Sequence, residues 1–227
     1  MSALFHDRHD AGHRLAARLQ SLAGRPGVIV LGLPRGGVPV AGEVAAALGA
    51  PLDIFVVRKI GVPGHEELAM GAVASGGVRV VNPDVVREIG VSRQVFDEVT
   101  DRERLEVQRR ERAYRAGRPF PDLRGSIVIL VDDGVATGST MLAGVHALRQ
   151  LGPAAVIAAA PVMAREAHRM LATAADRCEC VAMPEPFYGV GMHYQDFSQT
   201  SDEEVREILD RFAGQTAERQ APHAVRA

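Results

Sequence analysis

Two adjacent carboxylates, Asp132 and Asp133, follow an apolar run at residues 127–131 and precede a loop of small and hydroxyl residues at 136–140. The apolar run predicts a buried central strand, and the apolar spacing that begins near Ser139 predicts a helix. A loop between a strand and a helix N-terminus suits a phosphate, because loop N–H groups and the helix dipole both favour an anion. The two acids would repel that phosphate, but they suit the hydroxyls of a neighbouring polyol or a hydrated Mg²⁺. This stretch therefore predicts a site for a sugar phosphate.

A second strand–loop–helix segment lies earlier in the chain. A predicted strand at 28–33 runs into Pro34, Arg35, Gly36 and Gly37, and a helical pattern follows. Glycine lets backbone N–H groups approach a ligand closely, and the arginine adds a cation. Taken alone, the segment is better explained as a tight turn with a solvated arginine, but beside the motif at 127–141 it predicts a second anion site. The Gly-x-Gly-x-x-Gly dinucleotide fingerprint is absent here, and the Gly-Lys-Ser/Thr of a Walker loop occurs nowhere in the chain.

Predicted strands alternate with predicted helices along most of the chain, which indicates right-handed crossovers and a parallel sheet. The predicted strands are 28–33, 52–57, 127–131, 155–160 and 178–183. A hairpin is predicted from 68–74 and 78–81, split by a Ser-Gly-Gly turn. The predicted fold class is α/β, with a doubly wound, mostly parallel sheet flanked by helices. Ligands bind such sheets at the carboxyl ends of the strands near the topological switch, so both loops are expected to face one cleft.

The stretch from Val128 to Thr140 resembles the phosphoribosyl-diphosphate (PRPP) signature of type I phosphoribosyltransferases, which is an apolar strand, two acids and a Thr-Gly-x-Thr type loop. The resemblance implies transfer of ribose 5-phosphate from PRPP to a nitrogen acceptor, with release of pyrophosphate. It implies that the 5-phosphate binds at Ala136, Thr137, Gly138, Ser139 and Thr140. It also implies that Asp132 and Asp133 orient the ribose hydroxyls and hold Mg²⁺ through water.

The same resemblance gives the earlier loop a role. Arg35, Gly36 and Gly37 match the family's pyrophosphate loop, and the peptide bond between Pro34 and Arg35 is expected to be cis. The loop at 136–140 lacks one feature, because the 6-oxopurine branch carries a carboxylate where this chain has Ala136. The loop therefore looks more like those of the adenine and uracil branches, and the proton acceptor must come from elsewhere.

Residues 58–67 combine glycine and proline with charged side chains, so no regular element is predicted for them. In the resembling family a mobile loop in this region closes over the substrate, and Arg58 and Lys59 match the basic pair at its start. Glu66 and Glu67 are then the nearest candidates for a proton acceptor, and Glu67 is assigned a catalytic role. The alternative is a surface loop with solvated charges. High mobility without ligand is expected around residues 60–66.

An aromatic-rich segment at 184–197 completes the predicted site. Phe187 and Tyr188 could stack on a planar base, or they could cover the edge of the sheet. The N-terminal segment and residues 184–200 are expected to form a small hood over one domain that spans 1–213. Residues 214–227 are expected to be a flexible tail.

The whole-chain composition excludes some classes of function. A net charge of −2 over 227 residues gives no general attraction for nucleic acid, and no apolar run approaches the ~20 residues of a membrane span. The first residues lack the apolar core of a secretion signal, so a cytoplasmic location is expected. The resemblance implies a homodimer. A non-catalytic regulator that binds PRPP or a nucleotide on the same fold is the alternative function; Arg35, Arg58 and Lys59 favour the enzyme, since only an enzyme has a leaving group to stabilise.

Overall fold

The computed structural model describes residues 3–213, apart from the side chains of Glu66 and Glu67, so the predicted tail at 214–227 lies outside it. The helices are α1 (Arg8–Leu19), α2 (Gly37–Leu48), α3 (Pro83–Ile89), α4 (Arg93–Arg115), α5 (Ser139–Gln150), α6 (Arg165–Ala174) and α7 (Asp202–Arg211). The strands are β1 (Val28–Gly32), β2 (Leu52–Ile54), β3 (Val57–Val62), β4 (His65–Ala74), β5 (Val78–Val81), β6 (Ile127–Val131), β7 (Ala155–Val162) and β8 (Arg177–Ala182).

Five strands form a parallel sheet in the order β2-β1-β6-β7-β8, which confirms the predicted fold class. From β1 the chain continues outward to β2, and after the second sheet it returns to the other side of β1 as β6. The topological switch therefore lies between β1 and β6. These two strands end level with each other, because Gly32 is paired with Val131. The two predicted ligand loops consequently leave the sheet side by side.

Both faces of the central sheet are covered by helices. Along β1, Val28 and Val30 pack with residues of α1, α2 and α7, whereas Ile29 and Leu31 pack with residues of α5 and α6. Successive side chains of a strand point to opposite faces, so a strand that is buried on both sides must be apolar throughout. This explains the continuous apolar runs of β1 and β6, all of whose residues except Ile127 are buried.

Residues 58–67 are not an irregular loop, as the sequence predicted, but lie in an antiparallel hairpin. Strands β3 and β4 pair with each other, and β5 pairs with β4 to complete a second sheet, as the predicted hairpin at 68–81 requires. The prediction extended the strand-breaking effect of glycine and proline over the whole of 58–67, whereas these residues act only locally. Pro63 and Gly64 lie between the two strands, Gly64 has a φ of 79°, and Gly61 falls at a shift in register. Breaker residues at a turn and a bulge are compatible with the flanking strands.

The N-terminal residues are tied to a distant part of the chain. The main-chain N–H of Phe5 donates to the carbonyl of His193 at 2.9 Å, and the N–H of Gln195 donates to the carbonyl of Phe5 at 2.9 Å. The Phe5 side chain is fully buried and lies 5.3 Å from the ring of Tyr194, measured between centroids. Residues 5 and 190–195 therefore form one packed unit. No helix within residues 3–213 is long and apolar enough to cross a membrane.

Candidate active site between the first and sixth strands

The two loops that follow β1 and β6 are in direct contact. The N–H of Leu33 donates to the carbonyl of Val131 at 2.8 Å, which holds the loops together where they leave the sheet. A Cβ on Gly37 would lie 2.7 Å from the carbonyl oxygen of Val131 and 2.9 Å from the Cα of Asp132, and a Cβ on Gly36 would overlap Oδ2 of Asp133. Both positions must be glycine for the loops to approach this closely. The peptide bond between Pro34 and Arg35 is cis, as expected.

The two acids lie at the centre of this contact and are largely withdrawn from solvent. Burial raises the pKa of Asp132 well above its usual range, and the negative charge of Asp133 raises it further. Burial also raises the pKa of Asp133, although the Arg8 guanidinium opposes that rise. Two adjacent carboxylates with a single bound arginine leave an excess of negative charge. That arrangement suits a ligand which brings hydroxyl donors or a cation to the acids.

The loop at 136–140 has the geometry expected of an anion site that is open to solvent. Thr137, Ser139 and Thr140 are exposed, and the Oγ atoms of Thr137 and Ser139 lie 3.1 Å apart. Gly138 adopts a φ of 78° directly before α5, and a Cβ there would lie 2.6 Å from Cε of Met170. The first N–H groups of a helix have no partner within the helix, so those of α5 are available to a ligand beside these hydroxyls. A phosphate bound at this loop would lie close to the acid pair, because the loop closely follows the two acids in the sequence.

Arg35, the side chain predicted to bind pyrophosphate, contacts an acid on a neighbouring helix. Its Nη1 lies 3.7 Å from Oδ1 of Asp202, at the start of α7, and the hydroxyl of Tyr114 donates to the same oxygen at 2.7 Å. The Arg35 side chain remains 35% exposed, so it can still reach a ligand. Sequence reasoning did not identify Asp202 or Tyr114, since both are far from residue 35 in the chain.

Arg58 and Lys59 lie next to each other in β3 and therefore point to opposite faces of its sheet. Arg58 donates from Nε and Nη2 to Oε2 of Glu103 on α4, both at 2.9 Å. Val57, two positions before Lys59, faces α5, because its Cγ2 lies 3.5 Å from a Cβ built on Gly144. Lys59 lies on the same face of β3, which packs against α5, the helix that begins at the loop 136–140.

The order of contacts along α5 indicates the direction in which β3 runs relative to that helix. Gly76, which follows β4, lies near Leu151 at the C-terminal end of α5, and Val57 lies near Gly144 in its middle. Because β3 runs antiparallel to β4, it continues from Val57 toward the N-terminus of α5. Lys59 thus lies on the face of β3 that packs against α5, and Arg58 is bound to α4 on the other face. The side chains of Glu66 and Glu67, the predicted proton acceptors, lie outside the described residues.

The 184–200 segment covers the acid motif. A Cβ on Gly134 would collide with Cγ1 of Val190, and the hydroxyl of Tyr194 donates to the main-chain carbonyl of Asp133 at 2.6 Å. Of the two predicted base-binding residues, Phe187 is half-buried with its ring 5.3 Å from that of His193, whereas Tyr188 is 77% exposed. Stacking of either residue on a base stays a prediction.

His193 is a further feature that the sequence did not single out. It is buried, and its Nε2 has no hydrogen-bond partner within the described residues. Burial lowers the pKa of this imidazole, so the ring is neutral at pH 7 and can accept a hydrogen bond. A buried nitrogen without a partner is unusual in a folded protein and marks the interior of this segment as a place where a polar group could bind.

A cavity of about 880 Å³ lies away from this site, between α4 and the residues around β5. Several arginines line it, but the buried one, Arg115, is fully engaged. Its Nε donates to Asp53 at 2.9 Å, its Nη1 to Glu111 at 2.6 Å and its Nη2 to the carbonyl of Ile54 at 2.8 Å. The charge of this arginine is thus already neutralised by the protein. The loops at the carboxyl ends of β1 and β6 are therefore the better candidate site.

Comparison with known proteins identifies the family of this chain. Residues 4–196 match the family model described as "Phosphoribosyl transferase domain". The chain is 49% identical over 208 residues to a Mycobacterium tuberculosis protein named "Putative phosphoribosyl transferase Rv0571c"; the match covers 92% of this chain and 47% of that protein. The chain thus spans about half the length of the curated relatives it matches. The crystal structure of TT1426 from Thermus thermophilus is similar with a TM-score of 0.83 and 42% identity, covering 92% of this chain and 98% of that one.

Proposed function

Because this chain belongs to the phosphoribosyl transferase domain family, we propose that it transfers ribose 5-phosphate from PRPP to a nitrogen of a nucleobase-like acceptor and releases pyrophosphate. One observation carries the proposal: an anion loop, an acid pair and a glycine loop with its own arginine lie together at one edge of the sheet. These three groups match the three parts of PRPP, which are the 5-phosphate, the ribose diol and the pyrophosphate.

Each part of the site has a task in this chemistry. The loop at 136–140 anchors the 5-phosphate, and its binding energy positions the reacting carbon. Asp132 and Asp133 accept hydrogen bonds from the ribose hydroxyls and favour the positive charge that develops on the sugar ring as its bond to pyrophosphate breaks. Arg35 and the N–H group of Gly36 stabilise the departing pyrophosphate, whose negative charge grows at the same time. The N–H of Gly37 donates to the carbonyl of Leu33 at 3.0 Å, so Gly37 contributes to this loop through its small size.

The donor set fits Mg²⁺. Magnesium retains several waters and binds through one or two carboxylates together with substrate phosphates. Within the described residues there is no group of three or more His, Cys, Asp or Glu that could hold a metal, so Asp132 and Asp133 would hold Mg²⁺ together with PRPP and through water. When bound, the ion supplies positive charge to the pyrophosphate oxygens.

We propose that the acceptor binds beneath the 184–200 segment, which would form the hood of the site. Ala136 leaves the phosphate loop without a carboxylate for the acceptor ring, so the acceptor's proton must be taken up elsewhere. Glu66, Glu67 and the neutral His193 are the available candidates. Phe187 is better placed than Tyr188 to stack on a planar base, since its ring already packs inside this segment.

A non-catalytic regulator is the second candidate, and one observation favours it. Arg35 and Arg58, which are predicted to stabilise the leaving group, are engaged by the carboxylates of Asp202 and Glu103. A regulator would bind PRPP or a nucleotide at the same loops without breaking the bond to pyrophosphate.

The test is a screen for pyrophosphate release. The protein is incubated with PRPP, Mg²⁺ and each of a panel of purine and pyrimidine bases, and pyrophosphate is measured by a coupled assay. We expect release that depends on one class of base and stops when the base is omitted. Tight PRPP binding without release for any base would favour the regulator. Failure to bind PRPP would overturn the enzyme, and failure to bind both PRPP and nucleoside 5-monophosphates would overturn both candidates.

Replacement of Gly36 by alanine is expected to weaken PRPP binding about tenfold, because the new Cβ would overlap Oδ2 of Asp133 and push the carboxylate from its position. Isothermal calorimetry with Mg²⁺ and PRPP measures the effect. Gly27→Ala is the matched control: Gly27 has a φ of 79° and nothing within 4 Å of its Cβ position, so alanine there should cost roughly 1 kcal/mol of stability and leave binding unchanged. Equal PRPP affinity of Gly36→Ala and the wild type would contradict the assigned contact.

A further inference from the structure

Arg8 binds one of the two motif acids although it lies 125 positions away in the chain. Its Nε donates to Oδ2 of Asp133 at 2.9 Å, and the two side chains are only 11% and 15% exposed. Arg8 is the first residue of α1, which is fixed by its N-cap Asp7. No local pattern in the sequence connects this arginine with the acid pair, so sequence reasoning could not find it.

The guanidinium of Arg8 is held from two further directions. Its Nη1 donates to the main-chain carbonyl of Ser198 at 2.7 Å, and its Cζ lies 4.1 Å from the ring centroid of Phe197. One side chain thus joins the N-terminal helix, the end of the 184–200 segment and the acid motif. A planar guanidinium held in this way can fix the orientation of a carboxylate, which a lysine could not do as well.

Asp133 is fixed at several points, and Arg8 is the side chain that fixes its carboxylate. The main-chain N–H of Asp133 donates to Oδ1 of Asp132 at 2.9 Å, and the main-chain carbonyl of Asp133 accepts from the hydroxyl of Tyr194. Oδ2 carries the bond to Arg8, and Gly36 packs against the same oxygen. Among the side chains that the structure describes, none donates to Oδ1 of Asp133. The carboxylate therefore presents one occupied oxygen to the protein and one available oxygen to a ligand.

We propose that Arg8 is a positioning residue of the active site, which holds Asp133 by Oδ2 so that Oδ1 meets a ribose hydroxyl of the substrate. The inference rests on the proposed function, because it assigns the ribose to the acid pair. It adds the N-terminal helix to the site and makes the ion pair a determinant of sugar recognition rather than of phosphate recognition. The phosphate loop, which Arg8 does not touch, should bind its anion without Arg8.

The experiment compares two ligands that share a phosphate and differ in the sugar. Ribose 5-phosphate and inorganic phosphate are titrated into the wild type, Arg8→Gln and Arg8→Lys in the absence of metal, and binding is followed by ³¹P NMR. Arg14→Gln is the matched control, because Arg14 lies on the same helix, binds Asp10 at 3.0 Å and packs over the Phe5 ring without touching Asp133.

We expect Arg8→Gln to weaken ribose 5-phosphate about tenfold and to leave inorganic phosphate within about twofold of the wild type. Arg8→Lys should fall between the two, and Arg14→Gln should change neither affinity. An equal loss for both ligands, or no loss for either, would overturn the assignment and leave Arg8 as a structural tie. If Arg8→Gln does not fold, the ratio of the two affinities in Arg8→Lys decides. A wild type that binds inorganic phosphate but not ribose 5-phosphate would instead overturn the proposed function.

Discussion

Replacement of both Asp132 and Asp133 by asparagine is expected to weaken binding of PRPP with Mg²⁺ at least about 100-fold. In the proposed complex each acid accepts a hydrogen bond from a ribose hydroxyl, and a hydrogen bond to a charged group contributes roughly 1.5 to 3 kcal/mol. Two such bonds together amount to a factor of about 100 or more, since about 1.4 kcal/mol corresponds to tenfold in affinity. Calorimetry with PRPP and Mg²⁺ measures the loss, and circular dichroism checks that the variant is folded. Unchanged affinity in a folded variant would remove the acid pair from the site.

The stability of a single variant provides an independent check on the same pair. Because burial and Asp133 raise the pKa of Asp132 in the folded state, ionisation of Asp132 costs stability. This cost is absent well below the ordinary aspartate pKa of about 3.9 and grows as the pH rises through the raised pKa. The wild type should therefore lose stability relative to Asp132→Asn as the pH rises from about 4 to about 7. Urea unfolding of both proteins at several pH values would show a constant difference if Asp132 were not buried beside a like charge.

The central sheet could be predicted from the sequence because each of its strands has a local signature. The runs at 28–33 and 127–131 are apolar with almost no interruption, and only a strand covered on both faces requires that. The anion loop was predictable for a similar reason, since its glycine, hydroxyl groups and following helix are contiguous. The cis bond before Arg35 followed only from the family resemblance and had no basis in local propensity.

The features that sequence reasoning missed depend on contacts between distant parts of the chain. Arg8 and Tyr194 reach Asp133 from 125 and 61 positions away, and neither has a neighbour that signals this role. The hairpin of β3 and β4 was missed because glycine and proline were counted over the whole of 58–67, whereas their effect depends on position. At a turn and at a bulge these residues permit a strand on either side.

Lys59→Ala is expected to lower turnover about 100-fold while it changes the affinity for PRPP by less than about threefold. Lys59 lies on the α5 face of β3, and the proposed mechanism has its ammonium group approach the pyrophosphate as the hairpin closes over the substrate. Pyrophosphate gains negative charge only as the bond breaks, so a cation here acts mainly on the transition state, and removal of one such group costs roughly 10² to 10³ in kcat. The acceptor must be identified first, after which kcat and the dissociation constant for PRPP are measured separately.

Arg58→Ala is the matched control for Lys59→Ala. Arg58 is the preceding residue and has the same charge, but it donates to Glu103 on the opposite face of the strand. Its loss should reduce stability by leaving Glu103 without this partner, and it should reduce turnover far less than the loss of Lys59. Equal losses of turnover in the two variants would restore the original prediction that both cations act on the leaving group. Parallel losses of kcat and PRPP affinity in Lys59→Ala would mean that this lysine serves ground-state binding.

The most direct test of the central claim is a crystal structure of the protein with PRPP and Mg²⁺. We predict that the 5-phosphate lies in the loop at 136–140, that the ribose hydroxyls contact Asp132 and Asp133, and that the pyrophosphate lies against the loop at 35–37. Arg8 should still hold Oδ2 of Asp133 in that complex. A PRPP molecule bound in the cavity between α4 and β5, with the loop at 136–140 empty, would contradict the assignment of the active site to the loops that follow β1 and β6.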